Sequence, residues 1–193
     1  MLNKIIEILL SAVLLIPVLG LLNKIRFHSR KKTALYFVFA VYLSAVYLFV
    51  GMPTVQFLRF ALSLTLIPFL PMLADLKNTV LNIFLFIPLG IGLPFLWKQY
   101  RSLKAAVLFG FCMSLSIELL QILTYRATDI NDIIANTLGA ALGYLIFHIA
   151  SRIIPPAAES SRKKSDVFIL IASVFLVMFF VQPSLAALYY QIT

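Results

Sequence analysis

The chain alternates long apolar blocks with short polar breaks. A membrane hydrocarbon core about 30 Å thick takes about 20 residues of helix, and six blocks approach that length: 5–22, 33–51, 78–97, 105–123, 132–150 and 167–187. Within them apolar residues run all round, where a water-facing helix would show a one-sided stripe. The pattern predicts an all-α, polytopic transmembrane helical bundle of about six spans, forming a single integral membrane domain. Counts of five or seven stay open, because the fifth block begins with Asp132 and contains Asn136, and because residues 52–77 fit no simple class.

That stretch is too apolar for a solvated loop and is broken by Pro53, Pro68 and Pro71. Non-helical backbone at membrane depth must have its polar groups satisfied by protein or water. Residues 52–77 are therefore expected to form a re-entrant or interfacial segment packed over part of the outer face, with a flat amphipathic helix as the alternative. Residues 103–104 and 155–165 read as plain linkers. The first block is read as a retained span, since it lacks a strongly basic leader and a small-residue cleavage site ahead of Lys24.

Composition agrees with the pattern. Hydrophobic residues make up 62% and charged residues 12% of the 193 positions, with a mean hydropathy of +1.02, against about 45–50% and about 25% in soluble domains. An ordinary soluble domain is excluded. Cys112, the single cysteine, can form no intramolecular disulfide and is expected to pack in the core.

The net charge of +9 invites a nucleic-acid reading until the cations are placed. Twelve of the 16 Lys and Arg fall in the connections after the first, third and fifth spans, and the other four are Lys4, Arg59, Lys77 and Arg126. Basic loops stay in the cytoplasm, so this alternation predicts a multi-pass protein with both termini outside. Nucleic acid is not an expected partner; anionic lipid head groups are attracted to the same loops.

Several polar residues interrupt the spans. Ser114, Glu118, Gln121 and Tyr125 recur at spacings of 4, 3 and 4 on one helical face, which Gly110 continues inward. Asp129, Asp132, Asn136, Gly139 and Gly143 form a second stripe at spacings of 3, 4, 3 and 4. Its inner part is a Gly-x-x-x-Gly seam that admits a neighbouring helix. Arg126, in the turn between the two stripes, is the natural counter-ion for Asp129 or Asp132, and Asn82 lies near the outer end of the third span. Under the predicted topology all these groups meet at one depth, the outer half of the membrane.

Bland readings compete with a functional one. Asp129 or Asp132 can simply cap the fifth helix, and Asn82, Gln121 and Asn136 can act as interhelical glue. Glu118 is the hardest to explain away, because an ionisable group inside a membrane span is expensive unless it faces a partner. Pro88 and Pro94 should kink the third span, while His28 and His148 lie near the opposite end and read as bystanders. No phosphate loop, His-Glu-x-x-His, Gly-x-Ser-x-Gly elbow or serine–histidine pair occurs. Glu118, Asp129 and Asp132 are types that suit paired-carboxylate acid/base chemistry or hard cations, but nothing in the sequence demands a metal or a cofactor.

The ordered set Asn82-Ile-Phe-Leu-Phe-Ile-Pro-Leu-Gly90, Ser116-Ile-Glu118-Leu-Leu-Gln121 and Arg126-Ala-Thr-Asp129-Ile-Asn-Asp132 through Asn136, Gly139 and Gly143 resembles the VanZ-like membrane proteins. The resemblance covers about 36–147, leaving the first and last spans outside its strongest part. It implies a small multispan protein of the bacterial cell envelope, in a family whose best-known member confers teicoplanin resistance, and it singles out the same residues. The candidate catalytic groups are then Glu118, Asp129 and Asp132; the candidate ligand-binding groups are Asn82, Gln121, Arg126 and Asn136; Gly139 and Gly143 are packing positions. The leading expectation is a protein, enzyme or not, that engages membrane lipids or a lipid-linked envelope precursor. A non-catalytic shielding partner in an envelope complex and a small proton-coupled transporter remain as alternatives, the latter without an inverted repeat to support it.

Overall fold

The computed structural model describes residues 2–60, 63–65, 67–124, 127–153, 163 and 165–192. Six helices are long and apolar enough to cross a membrane, which makes this a multi-pass, all-α membrane protein. The elements are α1 (Leu2–Leu22), α2 (Arg30–Val50), the strand β1 (Leu64–Thr65), a short α3 (Leu70–Ala74), α4 (Leu76–Leu96), α5 (Leu103–Gln121), β2 (Thr128–Asp129), α6 (Ile130–Ala150), α7 (Ser165–Leu176) and α8 (Gln182–Ile192). α7 runs into α8 through a π turn, Val177–Val181.

The helices begin where a short polar side chain can take a backbone N–H, a few residues ahead of the apolar boundary. Ser29 accepts from Lys32 N, Asp75 from Asn78 N, Ser102 from Ala105 N and Asp129 from Asn131 N, each satisfying a donor that the first turn leaves open. Leu103 and Lys104, expected as linker, are thereby the first turn of α5. α4 is continuous through Pro88 and Pro94. Most of the expected linker 155–165 lies outside the described residues.

The chain groups into two compact units, one made of Met1–Leu58 with Lys164–Thr193 and the other of Arg59–Lys163. In the first unit α1 and α2 form a hairpin whose reversal is tightly determined. Asn23 Oδ1 accepts from both Ser29 N and Thr33 Oγ1 at 2.9 Å, and His28 adopts a left-handed φ of 50°. At the hairpin's far end Gly51 closes α2 with a φ of 67°. Pro183 has no N–H to give the Phe179 carbonyl, and the Val55 N–H takes that place at 3.0 Å.

In the second unit α6 packs between α4 and α5. Gly139 lies against the Ile83 carbonyl and Gly143 against the Ile87 carbonyl and the Gly90 Cα. Contacts advance together along both helices, so α4 and α6 run parallel in near backbone contact. On the other side of α6, Gly110 of α5 faces Ala140 Cβ. The buried face of α5 is Ala106, Gly110, Ser114, Ile117, Glu118 and Gln121. Cys112 lies roughly opposite that face and is exposed, so the expected core position is corrected: two residues from either Gly110 or Ser114 is about 200° of helical rotation.

Among the described residues of 52–75 there is no long flat helix: α3 has five residues, and before it the described chain is extended or irregular. β1 pairs in parallel with β2, Leu64 with Thr128 and Thr65 with Asp129, while Arg59 N donates to Leu123 O at 2.9 Å. The segment from Arg59 onward thus lies along the α5–α6 turn.

The glycine crossing gives a direct test. A methyl at Gly90, Gly139 or Gly143 would overlap backbone atoms of the facing helix, whereas nothing lies within 4 Å of the same position at Gly20. Alanine at any of the first three is expected to cost about 1–3 kcal/mol in reversible unfolding of the detergent-solubilised protein, and Gly20→Ala nothing.

Candidate functional site

The predicted polar residues converge at one end of the second unit, where α4 and α6 begin and α5 ends. Glu118 is 1% exposed, Gln121 3% and Asn136 2%, values that for such groups require partners. Glu118 Oε2 accepts the Asp129 N–H at 2.8 Å, and the Glu118 carbonyl accepts from Thr128 Oγ1 at 3.0 Å. A side chain from the last turn of α5 therefore fixes the backbone that starts α6. Gln121 is the final residue of α5, and its carbonyl takes the Thr124 N–H and hydroxyl.

The two aspartates divide the roles that spacing alone had left open. Asp129 caps α6, its Oδ1 accepting from the backbone and the amide of Asn131 at 2.8 and 2.7 Å. Asp132, one turn further, points across to α4 and accepts from Asn82 Nδ2 at 2.7 Å. Asn136, a turn deeper, donates to Ser114 Oγ of α5 at 2.9 Å. Side-chain bonds from α6 thus reach both neighbours. Arg126 and Tyr125 lie outside the described residues. Among the described residues no three His, Cys, Asp or Glu side chains group as a metal site would need.

Asn136 is left with one amide atom unused. Its Oδ1 is buried and has no hydrogen-bond partner among the described residues. Because a hydroxyl both donates and accepts, turning the amide over would keep the Ser114 bond and expose the nitrogen in place of the oxygen. Either way a polar atom faces an unfilled bonding direction beside Glu118's face of α5.

Asn131 is the residue that sequence reasoning missed. It is 4% exposed, accepts the Phe69 N–H at 2.8 Å and donates to the Ile67 carbonyl at 3.0 Å, so its amide holds the incoming segment as a strand would. Phe69 needs that hold, since its φ of 67° is unfavourable for a residue with a bulky side chain. The signal was an amide about 100° round the helix from the Asp129–Asp132–Asn136 stripe, a position that must face something other than α4 or α5.

The profile of the VanZ/LLP1 family matches residues 39–151, more than half of the chain. The chain belongs to the VanZ/LLP1 family. Protein VanZ of Enterococcus faecium is 30% identical over 117 residues, a stretch that covers 60% of this chain and 68% of that protein. No solved structure matches. The match begins inside α2 and ends just past α6, close to the limits of 36–147 expected from the motifs, and the polar cluster falls wholly within it.

Asn131→Ala removes the clamp on the segment before α3 and one of the two bonds to Asp129 Oδ1, while the Asn131 N–H still reaches that cap. It is expected to cost about 1–3 kcal/mol, with faster amide exchange at Phe69 and faster proteolysis between residues 59 and 69, while the α4–α6 crossing keeps its protection.

Proposed function

We propose that this VanZ-family membrane protein binds a lipid or cell-wall-precursor head group at the polar end of its second unit, and that the resulting change at the envelope lowers susceptibility to glycopeptides such as teicoplanin. The observation that carries the reading is the open amide atom of Asn136, buried where that residue meets Ser114 on the face of α5 that also carries Glu118. A hydroxylated or amide-bearing head group supplies the donors and acceptors such a site lacks. The distribution of Lys and Arg supports an outward-facing site in the cytoplasmic membrane with both termini outside, which is where envelope precursors are displayed.

A second reading has its own support. The Asn82–Asp132 and Asn136–Ser114 bonds, and the bond from Asp129 N to Glu118, each tie two elements together. Such a cluster would serve equally in a non-catalytic partner that shields or scaffolds an envelope complex.

Lipid and envelope-precursor mass spectrometry of cells with and without the protein tests the first reading. A changed head-group composition, or a precursor co-purifying with the protein and lost in Asn136→Ala, is the expected result; unchanged composition with no bound lipid overturns it. Glu118→Gln separates binding from proton chemistry. The glutamine oxygen still accepts the Asp129 N–H, so the variant should insert and fold, and full activity in it would leave acid/base chemistry at Glu118 unsupported.

A further inference from the structure

The first unit contains a second buried carboxylate. Asp166, in the first turn of α7, has a side chain only 1% exposed and is bound by two cations, Arg26 Nε at 2.9 Å and Lys32 Nζ at 2.8 Å. The Tyr36 hydroxyl lies 3.4 Å from the same carboxylate. Lys32 is further held between the rings of Phe27 and Tyr36, each centroid 5.3 Å away. Two cations thus meet at one buried acid.

Arg26 is where that charge reaches the surface. Its Nε is spent on Asp166 and its Nη2 donates to Ser165 Oγ at 2.6 Å, which pins the plane of the guanidinium. Among the described residues the Nη1 donors have no partner, and the side chain is 30% exposed. The residue sits in the π turn Asn23–Phe27, inside the reversal that Asn23 ties to Ser29 and Thr33. π turns recur at functional sites, and this one is determined far more tightly than a simple connection requires. Lys24, Arg30 and Lys31 surround it, all exposed. Leu21 and Ile25 next to it are exposed apolar side chains, at 60% and 63%.

A fixed guanidinium with outward donors, exposed cations close by in the chain and adjacent apolar surface is the chemistry of a phospholipid phosphate receptor. We infer that Arg26, oriented by Asp166 and Ser165 and reinforced by Lys32, binds the phosphate of an anionic phospholipid in the leaflet that the basic end of this unit faces. Asp166 is a positioning residue: it spends one face of the guanidinium to aim the other. The site is separate from the polar cluster of the second unit, so its occupancy does not depend on the function proposed for that cluster.

The test uses the full-length protein purified in detergent and titrated with fluorescent phosphatidylglycerol, with phosphatidylcholine as the zwitterionic control. Phosphatidylglycerol should bind preferentially, and Arg26→Gln should weaken it about tenfold, the loss of one charge-assisted bond. Lys31→Gln, which removes the same charge from an exposed neighbour, should weaken it clearly less. An equal loss in both variants, or none in Arg26→Gln, overturns the site in favour of diffuse attraction. Should Arg26→Gln fail to fold, Arg26→Lys keeps the charge and the contact with Asp166 while removing the fork; unaltered affinity there also overturns the inference. Inorganic phosphate in competition identifies the source of the anion, since displacement as effective as that by unlabelled phosphatidylglycerol would mean a soluble ligand and would overturn the lipid assignment.

Discussion

The second unit depends on one close approach. Gly90, Gly139 and Gly143 let α4 and α6 meet backbone to backbone, and only at that separation can a side chain as short as Asn82 reach Asp132. Membrane helices gain little from burying apolar surface, because lipid is as apolar as leucine, so packing of this kind supplies much of the attraction between them. The same crossing leaves the opposite face of α6 for α5, where Gly110 plays the corresponding part against Ala140. The seam and the polar stripe share one helix, and the first places the second.

Once the helices are set, the polar groups follow from the absence of water. Each buried donor or acceptor must find protein, and the cluster meets that demand with little redundancy. Glu118 takes the N–H at the start of α6, Asp129 the next donor along, and Asn131 the backbone of the segment before α3. The α5–α6 turn is therefore held from below by α5 and from above by residues 63–69. Asn136 departs from this economy. A group that breaks an otherwise satisfied pattern is where a ligand has something to offer.

Much of this was legible in the sequence because the membrane simplifies the code. Block length gave the six spans, and the 3–4 spacing put Glu118 and Asn136 on faces that the structure finds buried. The motifs around Asn82, Glu118 and Asp129–Gly143 carried the family. What stayed hidden depends on direction within a turn or on distant pairing. The spacing allowed either aspartate to be the cap, and only the path of the chain into α6 separates Asp129 from Asp132. Cys112 reads as core by composition, though helical phase puts it outside. Nothing local to Asp166 shows that Arg26 and Lys32, more than 130 residues earlier, close around it.

The two buried carboxylates show why the same isosteric change carries different information at different sites. Glu118 accepts the Asp129 N–H, a bond that an amide oxygen satisfies nearly as well, so replacing the acid by its amide removes charge and proton chemistry while leaving that bond. Asp166 faces two cations, and an amide there would leave both beside a group unable to compensate them, at a cost that grows with burial. A loss of function at position 166 would therefore report on how the α1–α2 hairpin holds α7. A loss at position 118, with the fold intact, would report on the chemistry of the carboxyl group itself.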